Sequence, residues 1–188
     1  RNNPLVTRST FDAGSRISAF IAKRFEYGNG NFATTVSLFY NGQAGQPYSY
    51  VYQNGDNLTG EDSEDSRALI YVPASQNEIV FADASTAAQQ WSALDAFIEN
   101  DPYLSTVRGE YAERNRSRTP FEHLLDLKIA QDVSFNVGNK RHTVQLTYDI
   151  FNVANLINPE WGKSFFVGDN GYFRLLRFVG FQEDANGN

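Results

Sequence analysis

TVQLTYDIFN, residues 143–152, alternates between polar and apolar side chains along its length. Because successive side chains of an extended strand point to opposite faces, this stretch predicts a strand with two unlike faces. The apolar face consists of Val144, Leu146, Tyr148 and Ile150. The polar face consists of Thr143, Gln145, Thr147 and Asp149. The apolar face belongs either to the core of a soluble β-domain or to the lipid-facing wall of a membrane barrel.

The segment before it, HLLDLKIAQDVSF at residues 123–135, has the same pattern. One face consists of Leu125, Leu127, Ile129 and Val133, and the other of Asp126, Lys128, Ala130 and Asp132. The turn NVGNKR at residues 136–141 joins the two strands into a predicted hairpin. No charge interrupts the apolar positions from Leu125 to Ile129 or from Val144 to Ile150. That composition suits lipid contact, because a charge at the midplane costs about 2–4 kcal/mol.

An earlier hairpin is predicted from ISAFIAKRFE at residues 17–26 and FATTVSLFYNG at residues 32–42. The intervening YGNGN supplies glycine and asparagine, which tolerate the positive φ angles of tight turns. The second strand alternates until Phe39 breaks the pattern. QPYSYVYQ at residues 46–53 is expected to continue this strand beyond a glycine-rich bend, and YFRLLRFVGF at residues 172–181 predicts a final strand.

A long loop, residues 53–120, separates the two hairpins and is expected to carry a short helix. Thr86 is the expected N-cap, with Gln89 completing a capping box. An apolar stripe of Trp91, Leu94 and Ile98 follows, and Asp101-Pro102 ends the helix. The hairpin strands are about ten residues long, against about five or six in soluble domains. Long strands with short turns on one side and a long loop on the other are typical of outer-membrane barrels.

Composition narrows the possible functions of these 188 residues. The net charge of -6 argues against nucleic acid as a partner, since phosphate binding needs a basic surface. The absence of cysteine excludes disulfides and thiolate metal sites. No apolar run reaches the length of a transmembrane helix, whereas a transmembrane strand needs only about 9–11 alternating residues. The missing initiator methionine indicates a processed product or an excerpt.

Four segments carry a family resemblance: LFYNGQAGQPYSYVYQNGD (38–56), RALIYVP (67–73), RTPFEHLLDLKIAQD (118–132) and LTYDIFNVANLINPEWG (146–162). In this order they resemble the C-terminal region of TonB-dependent outer-membrane receptors of the Bacteroidetes, in particular the OmpA-related, Oar-like group. The resemblance begins near Ile17 and is weakest across residues 74–116. It implies an all-β fold, in which antiparallel strands form part of a transmembrane barrel of about 22 strands.

The resemblance also implies a function and partners. Residues 1–188 would be the C-terminal part of the barrel, with the N-terminal plug, the TonB box and the last strand absent. The receptor would take up an unidentified nutrient across the Gram-negative outer membrane. Its partners would be lipid, the remaining strands and plug, and TonB through the absent N-terminal region. The alternatives are a soluble extracellular β-sandwich that binds carbohydrate and a structural or adhesive outer-membrane barrel without active transport.

We expect no catalytic, cofactor or metal site, and hence no enzyme, because no nucleophile and base stand in a recognisable arrangement. The candidate ligand-binding positions are few. An acidic segment can bind calcium but more simply stays solvated: Asp56, Glu61, Asp62, Glu64 and Asp65. A basic run can contact anionic lipopolysaccharide or the acidic loop, or remain solvated: Arg114, Arg116 and Arg118. The two histidines are His123 and His142, and three tyrosines, Tyr48, Tyr50 and Tyr52, suit a ligand entrance or an aromatic girdle.

Overall fold

The computed structural model describes residues 6–53 and 67–180. In chain order these form β1 (Arg16–Tyr27), β2 (Phe32–Gln43), β3 (Pro47–Gln53), β4 (Tyr71–Val72), α1 (Ala87–Asn100), β5 (Glu110–Tyr111), β6 (Ser117–Arg118), β7 (Glu122–Val137), β8 (Lys140–Ile150), α2 (Val153–Ile157) and β9 (Tyr172–Arg177). Two 3₁₀ turns, Gln76–Glu78 and Leu104–Thr106, and a left-handed turn, Gly168–Gly171, complete the list. The expectation of a mostly antiparallel β-sheet protein with few helices is confirmed.

The chain divides into two compact units. The sheet unit consists of Ala13–Gly45 and Pro120–Phe165. The helix unit consists of Arg1–Asp12, Gln46–Thr119 and Phe166–Asn188. Residues of the predicted long loop therefore share one unit with β3 before them and β9 after them.

The sheet unit is one antiparallel sheet in the order β1-β2-β7-β8. Two hairpins, β1-β2 and β7-β8, lie side by side through β2 and β7, as the alternation and turn residues predict. Asn29 and Gly138 have positive φ angles, of 54° and 60°, which hairpin turns of this kind require. Within the described part of the chain, β1 and β8 are the edges of this sheet.

The helix unit has its own apolar core. Strand β3 lies between β6 and β9, and β4 pairs with β5. Helix α1 contributes Leu94 and Ile98, both buried. The rest of the buried cluster is Tyr50, Ile70, Val72, Leu104 and Ala112. Trp91 packs against this cluster, so the predicted stripe does hold α1 on its own segment.

The predicted capping box at the start of α1 is wrong. Thr86 is the N-cap residue, but its φ of -111° and ψ of 0° are not the extended geometry in which an N-cap hydroxyl reaches the next turn. Its hydroxyl oxygen instead accepts a hydrogen bond from Nε2 of Gln90, at 2.6 Å, and Gln89 is not its partner. The predicted end of the helix is confirmed, since Asp101 is the C-cap.

One strand prediction needs correction. Residues 47–53 do not continue β2 in the same sheet, whereas the predicted final strand is present as β9. Instead β3 and β9 pair in parallel, with Ser49 opposite Tyr172. The physical reason lies in residues 44–46, which separate the two strands, and in Pro47, which has no backbone N–H and therefore begins a new strand.

Candidate functional site

The four-stranded sheet has one apolar and one polar face. Residues opposite each other in neighbouring antiparallel strands lie on the same face. The register therefore collects large apolar side chains from all four strands on one side, hereafter the apolar face: Ile17, Ile21, Phe25, Tyr27, Phe32, Val36, Leu38, Tyr40, Leu125, Leu127, Ile129, Val133, Phe135, Val144, Leu146, Tyr148 and Ile150. The opposite side is the polar face.

Much of the apolar face is exposed. Leu146 is 72% exposed, Ile21 68% and Phe25 51%. Burying one large apolar side chain is worth about 1.5–3 kcal/mol. The free energy that burial of the whole face would contribute is therefore comparable to the net stability of a domain, about 5–15 kcal/mol. A face of this kind needs an apolar environment.

Polar groups on the apolar face are satisfied locally at its hairpin end. The Tyr27 hydroxyl donates to Oε1 of Gln131 at 3.0 Å, and the Thr34 hydroxyl donates to the same oxygen at 2.6 Å. Tyr27 also stacks on Phe32, with ring centroids 5.7 Å apart. This end of the face is thus a belt of aromatic rings and paired polar groups.

The opposite end of the apolar face is aromatic as well. The Tyr40 hydroxyl lies 2.7 Å from Nδ1 of His123, and the His123 ring lies 4.9 Å from that of Phe121. Residues of the segment after β8, among them Ile157 and Trp161, enclose with these rings a cavity of about 410 Å³. Rows of aromatic and polar groups therefore bound the apolar face at both ends.

Both hairpin turns lie at the same end of the sheet. The backbone N–H of Ser134 donates to the carbonyl of Asn31 at 2.7 Å, and the Arg141 guanidinium donates to the carbonyl of Gly30. The other end of the sheet leads into the longer segments that follow β2 and β8 and precede β7. Short and long connections are thus sorted to opposite ends.

The polar face carries a charge network. Arg24 lies 2.6 Å from Oδ2 of Asp132, and Nε2 of Gln145 donates to Oδ1 of the same carboxylate at 2.7 Å. Asp132 is only 8% exposed, so this pairing stabilises a carboxylate that water barely reaches. Lys128 and Asp149 form a second, looser pair at 3.6 Å.

A scan against models of known protein families finds no match to this chain, and searches of curated proteins and of solved structures also find none. The resemblance to TonB-dependent receptors therefore stays a prediction. None of the helices within residues 6–53 and 67–180 has the length and apolar composition that crossing a bilayer requires.

The histidines are not brought together. His123 and His142 lie at opposite ends of the apolar face, opposite Gly42 and Phe135 respectively. His142 stacks on Phe135, with centroids 6.1 Å apart. In the described part of the chain, no group of three or more His, Cys, Asp or Glu side chains is placed to hold a metal ion.

The three tyrosines of β3 lie in the core of the helix unit or pack against it. Tyr50 is 2% exposed and donates to Oδ2 of Asp101 at 2.5 Å, and its hydroxyl lies 3.0 Å from that of Tyr48. Burial and the bond to Asp101 raise the pKa of the Tyr50 phenol far above its usual value. The Tyr52 oxygen accepts from the backbone N–H of Tyr71 at 3.2 Å, and burial raises the pKa of Tyr52 too. These are core residues of the helix unit.

The remaining candidates are ion pairs or lie elsewhere. Arg118 pairs with Asp12 at 2.5 Å, and Arg116 lies 3.9 Å from Glu113. The exposed Arg114 lies in the same segment. The acidic segment of residues 56–65 lies outside the described residues, so its calcium affinity stays a prediction. Sequence reasoning missed the Arg24–Asp132–Gln145 network, whose only signal was a charged or amide side chain at a polar-face position of each of three strands.

Proposed function

We propose that the sheet unit forms part of the wall of a transmembrane β-barrel in the Gram-negative outer membrane, and that the chain belongs to a TonB-dependent receptor for nutrient uptake. The exposed apolar face supports this proposal most directly. An uncovered face of large aliphatic and aromatic side chains is stable against lipid tails and costly in water. The polar face would line the water-filled interior.

Strand length supports the same proposal. A tilted strand crosses the bilayer core with about 9–11 residues. Strands β1 and β2 have 12 residues each, β7 has 16 and β8 has 11. The row of Tyr27 and Phe32 and the row of Tyr40 and Ala19 would then lie near the two membrane boundaries, where aromatic rings are favoured.

The distribution of connections suits an outer-membrane orientation. Outer-membrane barrels have short turns on the periplasmic side and long loops outside the cell. The turns after β1 and β7 would be periplasmic. The long loop predicted over residues 53–120 would then be extracellular.

The proposal requires partner strands. Open strand edges are not tolerated in lipid, because each unpaired backbone group costs several kcal/mol. The edges of β1 and β8 would pair with further strands of the receptor, and the polar face would contact its plug. TonB would act through the N-terminal region of such a receptor.

A carbohydrate-binding β-sandwich accounts for fewer observations. It would bury the apolar face under a second sheet and use exposed tyrosines for the sugar. The tyrosines of β3 do not offer such a surface, because Tyr50 lies in the core of the helix unit and Tyr48 and Tyr52 pack against it. The exposed apolar face of β8 also runs counter to it.

Single cysteines can test which face meets lipid, because the chain has none of its own. Leu146→Cys and Thr147→Cys place a fluorescent label on adjacent residues of opposite faces. In lipid vesicles, we expect lipid-borne nitroxide to quench the label at position 146 and aqueous iodide to quench the label at position 147. The same alternation should recur for Leu127→Cys and Lys128→Cys on β7. Equal quenching of adjacent positions by iodide would refute the membrane wall.

A further inference from the structure

Three phenylalanines lie on the polar side of the sheet, where the alternation along the strands predicts polar residues. Phe20 lies opposite Phe39, and Phe39 lies opposite Asp126. Phe151 directly follows Ile150, the last residue of β8, and lines one cavity with Phe20 and Phe39. Phe20 is 69% exposed, Phe39 39% and Phe151 78%. Two neighbouring strands thus present facing phenylalanine rings on the polar face, and Asp126 continues their row on β7.

The next row carries opposite charges. Ser37 lies opposite Lys128, and Lys128 lies opposite Asp149. The Lys128 ammonium is 3.6 Å from the Asp149 carboxylate, and both side chains are about half exposed, at 53% and 44%. At this distance and exposure both groups keep free hydrogen-bonding capacity.

The two rows line one cavity of about 400 Å³. Its size lies within the range of small-molecule sites, about 300–1,000 Å³. Oδ1 of Asp126 accepts the backbone N–H of Asn152 at 2.8 Å, which holds the start of the segment after β8 beside the row. The cavity therefore combines phenylalanine rings with the Lys128 ammonium and two carboxylates, of which Asp126 is bonded to the Asn152 N–H and Asp149 lies beside Lys128.

We propose that this cavity binds a zwitterionic α-amino acid with an apolar side chain. The ligand carboxylate pairs with Lys128, the ligand ammonium pairs with Asp149, and the apolar side chain packs on the phenylalanine row. The match rests on spacing, because both charged groups of an α-amino acid are bonded to the same carbon and the protein presents the complementary charges 3.6 Å apart. A ligand with one charge would leave one partner unmatched.

This inference deepens the proposed function by naming a class of nutrient, and it rests on that function only for the role in uptake. Binding itself requires only the cavity. The Leu146 and Thr147 labels report on membrane contact alone, so the failure of either proposal is distinguishable from the failure of the other.

Fluorine NMR of 4-fluorophenylalanine, titrated with the full chain in detergent micelles, measures the binding. We expect saturable broadening of the ligand signal. N-acetyl-4-fluorophenylalanine and 4-fluorophenylalanine amide, each lacking one charge, should bind up to about fivefold more weakly, the effect of one exposed ion pair. Equal affinity of all three compounds, or no saturation, would overturn the proposal.

Variants locate the site. Lys128→Gln should lower the affinity for the free amino acid to that for the amide and leave the affinity for the amide unchanged. Phe20→Ala should weaken all three ligands by a similar factor of up to about tenfold, from lost aromatic contact. The matched control is Phe25→Ala, on the same strand but on the apolar face and 51% exposed. A control variant that weakens binding as much as Phe20→Ala would contradict the assignment.

Discussion

Replacing Asp101 with alanine should destabilise the helix unit. This residue ends α1 and ties three segments together. Its Oδ1 accepts the backbone N–H groups of Tyr103 and Leu104, at 2.9 and 2.8 Å. Its Oδ2 accepts the hydroxyl of Tyr50 at 2.5 Å. Asp101→Ala removes the acceptor for all three donors at once.

The size of the effect follows from what replaces those bonds. A hydrogen bond to a charged group contributes about 1.5–3 kcal/mol, and a buried donor without a partner costs about 1–3 kcal/mol. Leu104 is fully buried, so water cannot readily reach its N–H. The Tyr50 hydroxyl still has the Tyr48 hydroxyl as a partner at 3.0 Å, which reduces the cost of losing its bond to Asp101. We therefore expect a loss of about 2–4 kcal/mol rather than the sum of three bonds.

Urea unfolding followed by tryptophan fluorescence measures this loss. The chain has two tryptophans, so a Trp161→Phe background leaves Trp91, which packs against the core of the helix unit, as the only reporter. The control is Asp95→Ala on the same helix. Asp95 pairs with Arg108 at 2.8 Å but is 46% exposed, so its loss should cost under about 1 kcal/mol. A cost for Asp101→Ala no larger than that of the control would refute the reasoning.

Three further predictions test other parts of the molecule. The pKa of the Tyr50 phenol is raised in the folded protein, so its contribution to stability is complete below pH of about 10, the unfolded value, and falls as the pH rises further. Tyr50→Phe should flatten this decline of the urea midpoint above pH of about 10, and an unchanged decline would contradict the assignment. Gly162 has a φ of 65°, and an added methyl group would collide with the Asn152 side chain. Gly162→Ala should therefore lower the free energy of unfolding in urea by more than about 1 kcal/mol. Gly168 has open space around it, so Gly168→Ala should not. Lys23 lies on the apolar face opposite Val36, midway between the two aromatic ends. Lys23→Leu should therefore stabilise the vesicle-inserted protein by about 2–4 kcal/mol. No gain in stability would argue against lipid on that face.

The two hairpins could be predicted from sequence because their determinants are local. Alternation sets which residues share a face, and glycine or asparagine in the turns sets the pairing of adjacent strands. The pairing of β2 with β7 could not be read in this way. It joins Val36 to Ile129 across the whole predicted loop, and no turn residue specifies it.

The helix unit was harder to predict because its contacts are long-range. Trp91, Leu94 and Ile98 were sufficient to predict a helix that packs on its own segment. Alternation in β3 predicted a strand, yet the same tyrosine pattern fits a barrel girdle and a buried core equally well. The parallel partner of β3, which begins at Tyr172, decides between them, and it lies more than a hundred residues away. Sequence periodicity describes the face of a strand but not what covers it.

Phe39 shows how such a pattern acquires meaning from register. On its own strand it is one interruption of alternation, and strands often contain one. The register places Phe20 opposite it, and Phe151, just past the end of β8, lines the same cavity. Chance substitutions would scatter along the polar face, where each ring would stay in water without an apolar neighbour. Their concentration beside Lys128 and Asp149, around one cavity, is what a binding site would produce. An apolar residue on the polar face of a strand should therefore be compared with its neighbours on the paired strands. Only those neighbours show whether it is isolated or belongs to a larger apolar surface.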